Sequence, residues 1–115
     1  LFQIITMQKS IDDIDFEKSG GLIPIIVQDV KTKDILTLAY SNKESLELTK
    51  KTGNSWFWSR SRNKLWMKGE ESGNTQKVKE ILVDCDSDAV IYLVEPSGPA
   101  CHTGEKVCFH NNLEK

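Results

Sequence analysis

Val78-Lys-Glu-Ile-Leu-Val-Asp-Cys85 and Ala89-Val-Ile-Tyr-Leu-Val-Glu95 are two runs rich in Ile, Val and Tyr, with only Asp86-Ser-Asp88 between them. Branched and aromatic side chains suit a pleated, half-buried surface, so both runs read as strands. Eight and seven residues are ordinary strand lengths. Ala89–Val94 is the longest apolar run in the chain, far short of the ~18 residues a membrane span needs. Upstream, Trp56-Phe-Trp-Ser-Arg-Ser-Arg62 alternates in part and reads as a strand. Asn63-Lys64 reads as a turn, Leu65-Trp66-Met67 as the return strand and Gly69–Asn74 as a loop. Ser41-Asn-Lys-Glu44 has the spacing of a capping box. It predicts a helix that carries Leu46 and Leu48 and stops at Gly53, which takes a left-handed cap without strain. Asp34–Tyr40 reads as a strand and Gln28–Lys33 as a polar turn. Leu22–Val27 is an apolar strand in which Pro24 points to an edge or an early position. Gly20-Gly21 ends the polar opening Gln8–Lys18, whose Ile11, Ile14 and Phe16 are spaced as in one loose helical turn. Downstream, Pro96-Ser-Gly-Pro99 forces a turn ahead of the loop Cys101–Cys108. The expected fold is α+β and β-rich: about six mostly antiparallel strands in a partly open, barrel-like sheet, with one or two helices.

Composition narrows the class. The 115 residues fall within the roughly 100–150 typical of one domain, so 1–115 reads as a single domain. A 38% hydrophobic fraction can fill a core and 28% charged residues keep it in solution. Those fractions exclude a disordered tail, a collagen-like repeat and a disulfide-dense mini-protein. Fifteen Lys and Arg against 17 Asp and Glu give a net charge of −2, without the basic excess of a nucleic-acid binder. Leu1-Phe-Gln-Ile-Ile-Thr6 lacks the basic flank, long apolar stretch and small-residue cleavage site of a signal peptide. A cytoplasmic location is therefore expected. Leu1 is not an initiator Met, and a few residues are expected ahead of it.

Three cysteines cannot all pair within one chain, so disulfides explain the set poorly. Cys85 alone would pass for a small buried hydrophobe. Cys101 and Cys108 enclose His102-Thr-Gly-Glu-Lys-Val107, a polar segment ill suited to a core. Three thiolates match the ligand count of a catalytic zinc site whose fourth position is left to water; with His102 as fourth ligand the set would close into a structural site. Ligand counting leaves both open, beside the plainer alternative of free thiols. Asp84-Cys-Asp-Ser-Asp88, read as extended strand, would turn Asp84, Asp86 and Asp88 to one face and Cys85 to the other. Carboxylates gathered that way suit a hard divalent ion such as Mg2+, and the plainer alternative is a solvated acidic turn. An EF-hand loop is excluded, because Ala89 stands where that loop needs Gly and the flanks are strands. Ser59-Arg-Ser-Arg62, with Lys64 and Lys68 nearby, offers guanidinium forks and hydroxyls to a phosphate, although a solvated strand face is the commoner fate. Trp56, Trp58 and Trp66 could stack on a base or fill the core. Taken alone, these residues point to a small metalloenzyme acting on a phosphorylated substrate.

Five blocks add a resemblance. Trp58-Ser-Arg-Ser-Arg62, Leu65-Trp66, Lys68-Gly-Glu-x-Ser-Gly-Asn74, Asp84-Cys-Asp-x-Asp88 and Gly98-Pro-Ala-Cys-His-Thr-Gly104 resemble the signature blocks of the phosphoribosyl-AMP cyclohydrolases. They follow that family's order and spacing from about Gly21 to Phe109. Val107 stands where the family pattern has Ser, and Ser41 where it has Met; neither change removes a proposed ligand.

The resemblance implies the third step of histidine biosynthesis, hydrolysis of the purine N1–C6 bond of 1-(5-phosphoribosyl)-AMP. It implies an intertwined homodimer with one zinc per subunit, held by Cys85 of one chain and Cys101 and Cys108 of the other. It also implies Mg2+ on Asp84, Asp86 and Asp88. Zinc would lower the pKa of water from about 15.7 towards 7, and that water would attack C6, made electrophilic by the phosphoribosyl group on N1. His102, beside a ligand, is the candidate for proton transfer at the ring nitrogen; its alternatives are to orient Cys101 or to complete the zinc site. Ser59, Arg60, Ser61, Arg62, Lys64 and Lys68 are candidates for the two phosphates, with Trp66 also at the substrate. Neither nucleic acid nor a membrane is an expected partner. The competing classes are a structural zinc module that binds a partner and a zinc nucleotide deaminase. The deaminase is weakened by the absence of His-x-Glu and Pro-Cys-x-x-Cys from this sequence.

Overall fold

The computed structural model describes residues 8–115, and the reading of Leu1–Thr6 lies outside them. In chain order come two 3-10 turns (Ile11–Asp13 and Glu17–Ser19), β1 (Ile23–Asp29), β2 (Ile35–Ser41), α1 (Lys43–Thr52), β3 (Trp56–Ser59), β4 (Lys64–Met67), β5 (Gln76–Val83) and β6 (Val90–Pro96). The polar opening thus makes two single turns and no second α-helix. The Asp13 carboxylate bonds back to the Ser10 N–H at 2.8 Å, and Ile14 then leaves in an extended conformation to bury its side chain.

β1 has the strand period of two: Ile23, Ile25, Val27 and Asp29 are buried, and the side chains between them are half-exposed. It lies inside a four-stranded sheet of order β2-β1-β6-β5. The β1–β2 and β5–β6 pairs are antiparallel, β1–β6 is parallel, and β3–β4 is a separate antiparallel hairpin. The class is α+β, and the sheet is mixed and open, with β2 and β5 at its edges. The parallel pair needs a long crossover, and α1 with the β3–β4 hairpin supplies it. Pro24 pairs with Tyr40 of β2, while the register with β6 begins one residue later at Ile25 and Val90. The absent N–H therefore costs no rung on the β6 side.

The helix begins one residue later than the spacing predicts. Ser41 is buried as the last residue of β2, paired with Ile23, so it cannot also cap. Asn42 is the N-cap: its Oδ1 accepts from the Ser45 N–H at 2.8 Å, and Ser45 Oγ accepts from the Asn42 N–H at 2.9 Å. At the other end Gly53 takes φ 77° and donates to the Thr49 carbonyl at 2.9 Å, as expected of a C-cap.

One core joins these parts. Ile23, Ile25, Val27, Leu36, Val90 and Val94 pack from the sheet against Leu46 of α1 and Phe57 of β3. The Phe57 ring lies 5.1 Å from Trp66 and 5.7 Å from Tyr92, centroid to centroid. Tyr92, fully buried, donates its hydroxyl to Thr49 Oγ1 at 3.1 Å, so β6 is bonded to α1. Burial pushes that phenol up to about 12, and it stays a neutral donor.

Candidate active site

Three groups of side chains are candidates to carry the chemistry, and each sits on a turn or loop at a strand end. The first is the turn between β5 and β6. β5 ends at Val83, and Asp84–Asp88 are a turn where the pattern predicted extended strand. Asp84 Oδ1 takes the backbone N–H groups of Asp88 at 2.9 Å and Ala89 at 3.2 Å, and Ser87 adopts φ 62°. A carboxylate that binds backbone donors four and five residues ahead competes directly with the ladder. Strand alternation is therefore not what gathers the aspartates. Gathered they are: Asp84, Asp86 and Asp88 each bring a carboxylate oxygen within 4.8 Å of the others. All-oxygen donors at that spacing fit a hard divalent ion. The ammonium of Lys18 lies 2.8 Å from Asp88 Oδ2 and 3.1 Å from Asp86 Oδ2, so a positive charge is accommodated there. Those two carboxylates raise the Lys18 pKa above its ordinary value.

The second group is the loop after β6. The Ala100 N–H donates to the Lys106 carbonyl at 3.1 Å and the Cys101 N–H to the Glu105 carbonyl at 3.2 Å, closing the loop on itself. It is tied to the sheet by the Cys108 N–H on the Leu36 carbonyl at 2.7 Å, and by Lys106, 2.7 Å from Asp34 Oδ2. Lys106 in turn holds the Asp34 carboxyl below its usual range, helped by the Thr32 hydroxyl. Cys101 is buried and Cys108 half-buried. Thr103 Oγ1 donates to Cys101 Sγ at 3.0 Å, and His110 Nε2 lies 3.8 Å away. Those contacts, Thr103 foremost and Cys108 the least, outweigh desolvation and bring the Cys101 thiol down to about 6. It is a thiolate near neutrality, the form that ligates zinc.

The two other sequence candidates lie elsewhere. Cys85 is exposed on the carboxylate turn. Among the described residues of one chain, the aspartates form the one gathering of three or more His, Cys, Asp or Glu donor atoms, so Cys85 does not meet Cys101 and Cys108 there. His102 is exposed, and the imidazole beside Cys101 belongs to His110. Sequence reasoning passed over His110. Its signal was available, since it stands two residues after Cys108.

The third group surrounds the turn between β3 and β4. Strand pairing stops at Ser59, Arg60–Asn63 make the reversal, and the Arg62 N–H bonds Ser59 Oγ at 3.2 Å. The expected strand to Arg62 is cut short by that capture of the Arg62 N–H, and Asn63 takes φ 55° where the chain completes the reversal into β4. A cleft of about 510 Å3 opens here, lined by Tyr40, Trp58, Ser59, Arg60, Ser61 and Trp66. The Arg60 guanidinium lies over the Tyr40 ring at 3.9 Å from its centroid. A guanidinium held over a ring rather than by a carboxylate keeps its positive charge and its N–H donors for an anion. Ser59, Arg60, Ser61 and Trp66 thus share one cleft, whereas Arg62 and Lys64 are exposed and do not line it. Lys68 points to the thiol loop, where its Nζ donates to the Ala100 carbonyl. Tyr40 was not among the sequence candidates; a lone Tyr ending a strand carries no signal of its own.

A family model described as phosphoribosyl-AMP cyclohydrolase matches residues 37–110. The chain belongs to the phosphoribosyl-AMP cyclohydrolase family. The matched span takes in the basic cleft, the carboxylate turn and the thiol loop, and it ends at His110. Similarity to individual cyclohydrolases is high. The chain is 82% identical over 108 residues to the phosphoribosyl-AMP cyclohydrolase of Nitrosopumilus maritimus, which covers 94% of this chain and 100% of that one. Identity to the phosphoribosyl-AMP cyclohydrolase of Archaeoglobus fulgidus is 59% over 102 residues, 89% of this chain and 94% of that protein. A histidine biosynthesis bifunctional protein of Thermus thermophilus is 61% identical over 93 residues, 81% of this chain and 44% of its own length. No helix of the described residues is long and apolar enough to cross a membrane.

Proposed function

We propose that this cyclohydrolase opens the purine ring of 1-(5-phosphoribosyl)-AMP at the N1–C6 bond, using zinc on its thiols and Mg2+ on its aspartates. The observation that carries the reading is the family match across a chain that also assembles an anion-ready cleft, a thiolate loop and a carboxylate turn. Zinc, when bound, supplies the Lewis acidity that makes water nucleophilic at neutral pH. Cys101 and Cys108 hold it from one subunit and Cys85 from the other. This division accounts for Cys85 lying apart from its two fellow ligands within one chain. Asp84, Asp86 and Asp88 hold Mg2+. Arg60, backed by Tyr40, receives a phosphate with Ser59 and Ser61, while Trp66 offers a ring face to the base. Arg62 and Lys64 attract the second phosphate from the rim. Lys68 keeps the thiol loop against the cleft through Ala100. His102, exposed beside Cys101, moves a proton to or from the ring nitrogen.

Turnover of phosphoribosyl-AMP should vanish when zinc is chelated and return with up to one equivalent of zinc per chain. His102→Ala should keep the fold and the metal while losing at least ~100-fold in turnover, the weight of general acid–base catalysis. Zinc-replete, folded protein without ring-opening activity would refute the proposal. The nearness of His110 to Cys101 favours one second reading, a closed four-ligand zinc that serves structure alone. In that case His110→Ala would release zinc and destabilise the protein, and His102→Ala would change little.

A further inference from the structure

Two lysines ahead of β1 close on the carboxylate turn in different ways. Lys9 Nζ donates to the Asp84 and Cys85 carbonyls, each at 3.1 Å, and to Ser87 Oγ at 2.7 Å. The Asp15 N–H bonds the Ser87 carbonyl at 2.8 Å, so the backbone between the lysines is docked on the same turn. Lys18, by contrast, reaches charged oxygens, those of Asp86 and Asp88. Neither lysine lies within the residues 37–110 that match the family model.

We infer that Lys18 is a tethered counter-cation: its ammonium neutralises the carboxylate turn when no divalent ion is bound, and it withdraws when one binds. This inference rests on reading Asp84, Asp86 and Asp88 as a divalent site. Three carboxylates within 4.8 Å repel one another, and Lys18 supplies the positive charge that lets them gather. An ammonium and a divalent ion drawn to the same oxygens repel strongly at contact distance. Lys18 is free to leave, because its side chain is 50% exposed and its flexible four-carbon stem can carry the charge into water. Lys9 bonds only neutral oxygens, so it braces the backbone whether or not a metal is present. The competition gives the turn a preference: a doubly charged ion displaces Lys18, and a singly charged one gains little by doing so.

Mn2+, titrated into metal-stripped full-length protein and followed by the EPR signal of the free ion, tests this. Lys18→Gln should bind Mn2+ about tenfold tighter than wild type, as expected for removing two partly exposed ion pairs that the metal must otherwise break. Lys18→Arg and the charge control Lys79→Gln, whose partner is Glu95, should stay within about twofold of wild type. Without metal, Lys18→Gln should melt below wild type, and saturating Mg2+ should close the gap. Mn2+ affinity unchanged or weakened in Lys18→Gln would overturn the inference and make Lys18 a brace like Lys9. No Mn2+ binding by wild type or any variant would overturn the divalent reading of the aspartates itself, a separate result.

Discussion

At the scale of single residues, the site is decided by which group backs which. Arg60 is held by the face of Tyr40 rather than by a carboxylate, so its charge is oriented without being neutralised. A cation–π contact of this exposure is worth about 0.5–1 kcal/mol, or roughly two- to fivefold in binding. Tyr40→Leu should therefore raise KM for phosphoribosyl-AMP by that factor with kcat within about twofold, and Tyr40→Phe should restore it. An equal loss in kcat, unrescued by Phe, would assign Tyr40 to the fold instead. Residue type is what singled out the candidate ligands in the sequence. Asp84, Asp86, Asp88, Cys101 and Cys108 declare their chemistry by type, and the carboxylates do gather. Which imidazole approaches Cys101 could not be read that way. His102 adjoins Cys101 in sequence, yet His110 reaches it, because the loop closes Glu105 and Lys106 back onto Cys101 and Ala100 and carries the following segment past the thiol.

At the scale of elements, periodicity located the strands and local side-chain bonding moved their ends. β1 shows its alternation openly, and β6, with Val90 and Tyr92–Val94 buried, reads as an apolar run. β1 runs on to Asp29 and β5 starts already at Gln76, and three further errors fall where a side chain captures backbone. Asp84 takes two N–H groups and ends β5 early, Ser59 takes one and ends β3 early, and Asn42 displaces Ser41 as helix cap. None of these captures alters the hydrophobic pattern, which is why the pattern could not foretell them. The cap offers a direct check by chemical denaturation. Asn42→Ala should cost about 1 kcal/mol of stability, whereas Glu44→Ala, on the exposed face, should cost near zero. The reverse ranking would restore the capping box that the spacing suggested.

At the scale of the whole molecule, the cyclohydrolase is an open four-stranded sheet with a separate β3–β4 hairpin, and the candidate groups lie on the β5–β6 turn, the β3–β4 turn and the loop after β6, with Cys85 set apart from Cys101 and Cys108. The proposed sharing of the zinc site between two subunits of a homodimer makes a strict demand on mixtures. Cys85→Ser and Cys101→Ser should each be inactive alone. Co-refolded in equal amounts, they should regain roughly a quarter of wild-type turnover, since half the dimers are mixed and each mixed dimer keeps one intact site of two. Activity that stays at zero would confine the site to a single chain. The parallel β1–β6 pair has a consequence of a different kind. Ile25 lies beside Val90, 65 positions further along the chain (90 − 25), and closing so long a loop is slow. A ribosome makes β1 first, at about 5–20 residues per second, so for several seconds the nascent strand has β2 on one flank and nothing on the other. The sheet cannot be completed during most of synthesis, and the apolar edge of β1 is exposed to chaperones, or to a neighbouring nascent chain, until β6 emerges.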